Sequence, residues 1–309
     1  MRTEPGYLRL YATGELAERS RELQSMLASC RLCPRRCGVD RREKAGPCGA
    51  DARPKVAAMN LHPWEEPPLS GSRGSGTVFF SGCALKCRFC QNYPISQLGV
   101  GRAITVRQLA EGMLSLQRRG AHNINLVTPT HQVPAFVQAL LEAVPRGLRL
   151  PVVYNTGGYE ALETLKLLED VVDVYLPDIK YAEEEAARFC SRRPDYVTRN
   201  RAALEEMWRQ RGPLRVDGEG LAVEGVLVRH MVLPGGLAGT RDCMEFLRRR
   251  MGPRVWVSLM SQYFPAHEAR SLPPLDRKTT PEEYERAVDV LLELGLIRGF
   301  LQDDGAGEG

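Results

Sequence analysis

The sequence contains no run of the roughly 18 to 20 apolar residues that a bilayer span requires. Its start, Met1-Arg-Thr-Glu-Pro-Gly, lacks the apolar stretch that directs secretion. No membrane is expected, and the reading is cytoplasmic. Lysine is scarce, six against 36 arginines, and the 42 basic and 38 acidic residues nearly cancel to a net charge of +4. That balance gives no reason to expect nucleic acid, and most arginines are read as solvated surface. Internal repeats are absent too. An even cysteine count is also missing: nine cysteines in a chain without a secretory start argue against a disulfide framework and for metal or redox work.

What is present is concentrated. Seven of the nine cysteines fall within residues 30–90, whereas Cys190 and Cys243 stand apart and read as small buried hydrophobes. After an amphipathic helical stretch at 14–28 comes a Gly-, Pro- and Arg-rich cysteine segment with little core of its own. From about residue 76, short apolar runs at 77–81, 123–128, 151–155, 172–176, 225–233 and 254–259 alternate with helical periodicity at 106–117, 133–144, 160–168, within 183–210 and at 241–250. A last helix opens at Pro281 with Thr280 as its N-cap and runs to about 294. This is a βα pattern of six strands, giving an open doubly wound sheet or a full or partial barrel. Three regions are expected: a metal-binding segment at 1–75, a barrel at 76–300 and a disordered tail at 301–309. The Pro/Gly-rich stretch 65–76 reads as either a linker or a lid over the site.

Directly after the first strand runs Cys83-Ala-Leu-Lys-Cys87-Arg-Phe-Cys90. Active sites of βα barrels lie at that strand end. Three close thiolates without a fourth Cys or His before His122 suit a [4Fe–4S] cluster with one open iron. A three-ligand zinc site or an incomplete structural cluster is the alternative, weakened because structural zinc normally has a fourth protein ligand.

The C-x3-C-x2-C spacing, Phe89 before the third cysteine and the place after the first strand resemble the radical S-adenosylmethionine (SAM) superfamily. Most of the chain further resembles homologues of pyruvate formate-lyase activating enzyme, in the branch with an extra N-terminal cysteine segment. The resemblance is carried by Ser70-Gly-Ser-Arg-Gly-Ser-Gly, Cys90-Gln-Asn-Tyr-Pro-Ile-Ser, Asn123-Ile-Asn-Leu-Val-Thr-Pro-Thr-His, Tyr154-Asn-Thr-Gly-Gly-Tyr, Leu176-Pro-Asp-Ile-Lys-Tyr and Val228-Arg-His-Met-Val-Leu-Pro-Gly. It implies a partial (βα)6 TIM-like barrel of the radical SAM type with a small N-terminal cysteine-rich extension. It also implies a [4Fe–4S] cluster on Cys83, Cys87 and Cys90, with S-adenosyl-L-methionine on its open iron. One electron would then cleave the sulfonium to a 5′-deoxyadenosyl radical for hydrogen abstraction.

The implied partners are a reductant such as flavodoxin or ferredoxin and a glycyl radical enzyme as protein substrate. Action on a small molecule or another peptide is the alternative. A non-catalytic metal-binding or electron-transfer protein would explain the cysteines but not the polar groups at successive strand ends.

Those strand ends supply the cofactor-binding candidates. Thr128-Pro-Thr130-His131 stands where the family usually carries a Gly-Gly-Glu motif for the methionine amine; with no acid there, Thr128 and Thr130 are expected to accept. Asn155, Thr156 and Gly157 would let backbone approach a ligand. Asp178 and Lys180 lie two apart, on one face if the strand continues, and would meet ribose and carboxylate, unless they form a structural ion pair. Of Arg229 and His230, one must point inward, and both are candidates for cofactor or substrate contact, with a satisfied core histidine or a rim arginine as the alternative. The sixth strand ends in Met260 and Gln262, a rim for adenine or substrate.

Cys30, Cys33, Cys37 and Cys48, spaced C-x2-C-x3-C-x10-C, make a second metal site, either structural zinc or a second Fe–S cluster.

Overall fold

The computed structural model describes residues 4–302. Its strands are β1 (Lys55–His62), β2 (Ser75–Phe80), β3 (Arg102–Ala103), β4 (Ile124–Val127), β5 (Val152–Thr156), β6 (Val174–Pro177), β7 (Arg215–Val216), β8 (Ala222–Met231), β9 (Trp256–Met260) and β10 (Gly299–Leu301). Its α-helices are α1 (Gly6–Thr13), α2 (Glu15–Ser25), α3 (Pro67–Ser70), α4 (Tyr93–Ser96), α5 (Val106–Arg118), α6 (Val133–Ala143), α7 (Leu162–Leu167), α8 (Glu184–Ser191), α9 (Tyr196–Arg211), α10 (Thr240–Met251) and α11 (Pro281–Glu293).

The sheet order is β10-β9-β8-β6-β5-β4-β2-β1-β3, with β7 paired to β8. From β2 to β10 the strands are parallel and follow chain order. A sheet wound one way places its returns on one face and curls toward a barrel. This one stays open, because its outermost strands, β10 and β3, do not meet.

Strand alternation splits the apolar residues between two cores. Val152 and Tyr154 of β5, with Val226 and Val228 of β8, join a core containing Leu109, Met113, Phe136, Leu140, Leu204 and Leu247 of the helices. Val153, Val174, Leu176 and Leu227 face the opposite way and enclose Leu69 of α3.

Four expectations are corrected. Six parallel strands become seven: β10 was too short and too close to the polar end to read. Leu301, assigned to the tail, closes that strand, while residues 303–309 lie outside the described residues. The region 183–210 is two helices, broken where Arg192 turns left-handed (φ 53°) ahead of Pro194. The stretch 65–76 is neither linker nor lid. It carries α3 to the N-terminal ends of the strands, where Leu69 is fully buried, its carbonyl accepts from Asn123 Nδ2 (2.8 Å) and Ser75 Oγ donates to Asn123 Oδ1 (2.6 Å). It is a plug beneath the barrel, opposite the cysteine loop.

The segment before residue 55 also gains a core. Helix α1, unread in the sequence, precedes α2 across Gly14 (φ 85°), and Tyr7, Leu10, Leu16 and Leu23 join the helix-layer core. Tyr7 donates to Leu150 O (2.9 Å) and Gln24 to Pro134 O (3.0 Å), tying both helices to the barrel's outer layer. Strand β1 then pairs antiparallel with β2. The last helix begins as expected: Thr280 caps it reciprocally with Glu283, and Pro281 is in the first turn. Among the described residues no helix is long and apolar enough to cross a membrane.

Candidate active site

Strand β2 ends at Phe80, and Gly82 (φ 87°) turns the chain into the cysteine loop. Each sulfur there has a hydrogen-bonding neighbour: Leu85 N–H donates to Cys83 (3.3 Å), Ser191 Oγ to Cys87 (3.1 Å), and Ser96 Oγ lies 3.2 Å from Cys90. Burial, reinforced by the neighbouring cysteines, pushes the Cys83 thiol up to about 12 and raises Cys90. Thiols so placed become thiolates when a metal takes the proton's place. Among the described residues no three Cys, His, Asp or Glu side chains converge on a single ion. A three-cysteine donor set with N–H and O–H groups on its sulfurs fits a cluster that leaves one iron open.

The cysteines border a cavity of about 210 Å³ at the C-terminal strand ends. Thr128, Thr130, Asn155, Thr156, Gly157, Asp178, Lys180 and Arg229 line the same cavity, as do Met260 and Gln262. Thr128 is held in the left-handed region (φ 55°), uncommon for a β-branched residue. Its N–H reaches Asn155 O at 2.8 Å.

Asp178 is bonded on both sides: Lys180 Nζ donates to Oδ2, and Arg229 Nε to Oδ1 at 3.0 Å, while Arg229 Nη2 reaches Asn155 Oδ1 at 2.7 Å. Burial alone would raise the Asp178 carboxyl, but Lys180 and Arg229 outweigh it and hold it below the usual carboxylate range. The two readings of Asp178 and Lys180 therefore meet: they form an ion pair, and that pair lines the cavity.

His230 is the correction. Alternation along β8 turns Arg229 and Met231 inward and His230 outward, where its nitrogens pair with Ile179 O (2.7 Å) and Thr240 Oγ1 (3.0 Å). Burial pushes its imidazole down to about 4, so it is a neutral peg between sheet and α10. His131 likewise stays out of the cavity, with Nε2 at 2.8 Å from Ser81 O.

Two acids escaped the sequence reading. Glu160, from the loop after β5, is fully buried behind the cavity wall and accepts from Thr130 Oγ1 (2.6 Å), Thr156 Oγ1 and Tyr154 OH (3.1 Å). Burial lifts its carboxyl to about 7 against the pull of those hydroxyls. An acid after β5 thus stands behind the hydroxyls of Thr130 and Thr156. The signal in the sequence is Glu160 directly after Gly157-Gly158-Tyr159; the helix expected at 160–168 begins only at Leu162, which leaves Glu160 in the loop. Glu65 comes from the plug; burial raises it to about 7, with Arg229 opposing.

The cysteine segment 30–48 sits directly behind the Cys83 loop. Cys83 N–H donates to Cys48 O at 3.0 Å, and Arg35 Nη1 to Ala84 O at 3.2 Å.

Residues 77–212 match the model of the Radical SAM superfamily. An uncharacterized protein of Methanocaldococcus jannaschii is 29% identical over 286 residues, covering 88% of this chain and 77% of its own length. Among solved structures, methylornithine synthase aligns with a TM-score of 0.47 at 15% identity, over 71% of this chain. The chain spans 60% of that synthase.

Proposed function

We propose that this chain is a radical SAM enzyme. The reading is supported chiefly by one cavity that joins the three cysteines of the radical SAM domain to polar groups from four successive strand ends. When bound on Cys83, Cys87 and Cys90, a [4Fe–4S] cluster supplies the electron that cleaves S-adenosylmethionine reductively to a 5′-deoxyadenosyl radical.

The chain's own residues hold and orient the cofactor. Glu160 accepts hydrogen bonds from the hydroxyls of Thr130 and Thr156, so their oxygens keep a lone pair for a cofactor ammonium. Asp178 keeps Lys180 and Arg229 charged and fixed at the wall, one pair of cations for a carboxylate and one acid for ribose hydroxyls. Leu85, Phe89 and Met260 are apolar lining that excludes water from the radical.

For the hydrogen donor we take the glycine of a partner glycyl radical enzyme, on the resemblance of the segments around Cys90, Tyr154 and Leu176 to the activating enzymes. A flavodoxin or ferredoxin is the reductant in this proposal.

The test is anaerobic. Protein reconstituted with iron and sulfide, then given dithionite and S-adenosylmethionine, is expected to release 5′-deoxyadenosine and methionine. The Cys83→Ala protein is expected to release neither. Equal product from both proteins, or none from an iron-loaded wild type, overturns the reading.

A further inference from the structure

The cysteines at 30–48 form a closed arrangement. Cys30 lies within electrostatic reach of Cys37, and Cys33 within reach of both Cys30 and Cys48. Gly46 closes the ring: a Cβ built there would lie 3.6 Å from Cys48 Sγ and 3.7 Å from Cys37 Sγ. Leu32 N–H points at the Cys30 sulfur and Arg35 N–H at Cys33, the kind of donors that thiolates in a metal centre use.

A second observation points to a negatively charged occupant. Arg41 is 1% exposed and donates to three backbone carbonyls, Ala50 (3.0 Å), His131 (2.7 Å) and Asp51. Among the described residues no carboxylate lies within ion-pair distance of it; the ionisable group beside it is the Cys30 thiol, which burial raises and so keeps neutral without a metal. A buried guanidinium without a counter-charge is costly, and a four-thiolate metal centre carries that counter-charge.

The position says which centre and what for. Zinc is redox-inert, whereas an Fe–S cluster set against the Cys83 loop can pass electrons to it, and that position favours a cluster over zinc. None of the four lines the cavity, so this centre does not touch substrate. Cys48 is joined instead to Cys83 by the 3.0 Å peptide hydrogen bond, and Gly82 allows it: a Cβ there would stand 2.4 Å from Cys48 O. Cys37 is the least buried of the four.

We propose that Cys30, Cys33, Cys37 and Cys48 hold a second [4Fe–4S] cluster that relays electrons to the Cys83 loop through the Cys48–Cys83 peptide contact. In the step the second cluster gives up one electron and returns to its oxidised state, and the cluster on the Cys83 loop gains that electron. No bond breaks and no proton moves. A low-potential one-electron donor at the Cys37 side restores the second cluster. The relay rests on the function proposed above, whereas the metal assignment does not.

The experiment separates the two. A Cys83/Cys87/Cys90→Ala variant, reconstituted anaerobically, is expected to keep about four irons and four sulfides per chain. One zinc per chain, or neither metal, overturns the cluster. Should that variant fail to fold, the wild type decides: about eight irons and two spins per reduced chain are expected, and about four irons with one spin overturns the proposal. For the relay, the paramagnetic resonance spectrum of fully reduced wild type is compared with the sum of spectra from the triple variant and from Cys30/Cys33→Ala. A split or broadened wild-type signal is expected. A wild type equal to that sum, with both clusters present, overturns the relay and leaves the radical chemistry untouched.

Discussion

Glu160 shows how one side chain couples stability to pH. Its carboxyl stands near 7 in the folded chain against an ordinary 4.5, so between those values the folded chain holds a proton that the unfolded chain has released. Stability from this group is therefore full below about pH 4.5 and falls as pH rises through 7, by about 3 kcal/mol. Urea denaturation from pH 5 to 8 is expected to show this decline in the wild type and a shallower one in Glu160→Gln. Asp178 works in the opposite direction, being held ionised by two buried cations. Asp178→Asn strands Lys180 and Arg229 beside each other and is expected to cost about 3 kcal/mol, read as a lowered melting temperature, together with weaker S-adenosylmethionine binding. Neither role follows from residue order alone. Asp178 and Lys180 are legible because they follow β6 two residues apart, a spacing that keeps one face where the chain stays extended. Glu160 was hidden because its partners, Thr130 and Thr156, come from two different strand ends.

At the scale of elements, what could be read depended on periodicity. Strands β2, β4, β5, β6, β8 and β9 are largely buried on both faces, so each reads as a near-continuous apolar run bounded by turn residues and is legible in the sequence. Strand β1 has only one buried residue, Val56, and strand β10 has none, so they offer no such pattern. Their existence depends on the backbone of β2 and β9 beside them. The plug was unreadable for a related reason: a four-residue helix has no period, and Leu69 finds its apolar neighbours on strands far along the chain. Leu69→Ala is expected to destabilise the protein by about 3 kcal/mol in urea denaturation, because the inner faces of β5, β6 and β8 close around it. An unchanged midpoint would mean that the floor of the barrel can collapse to fill the gap.

Over the whole molecule, the boundary drawn near residue 75 separates sequence styles rather than folding units. Tyr7, Leu10, Leu16 and Leu23 belong to the same core as α6, and Arg41 clamps the loop that carries Thr130 through the carbonyl of His131. A chain lacking residues 1–53 is expected to lose cooperative thermal unfolding, measured by circular dichroism, rather than to yield a free-standing barrel. A sharp transition at the wild-type temperature would show that the N-terminal helices are ornamental.

The plug has one more effect, on traffic. With the lower end of the barrel filled by Leu69 and its neighbours, entry to the cavity is expected from the strand tops, where Gln262 is part of the lining. Two molecules sharing one doorway must queue. The one that lies deeper goes in first and comes out last, so steady-state kinetics should follow a compulsory order, with the deeper product trapped until the shallower one has left.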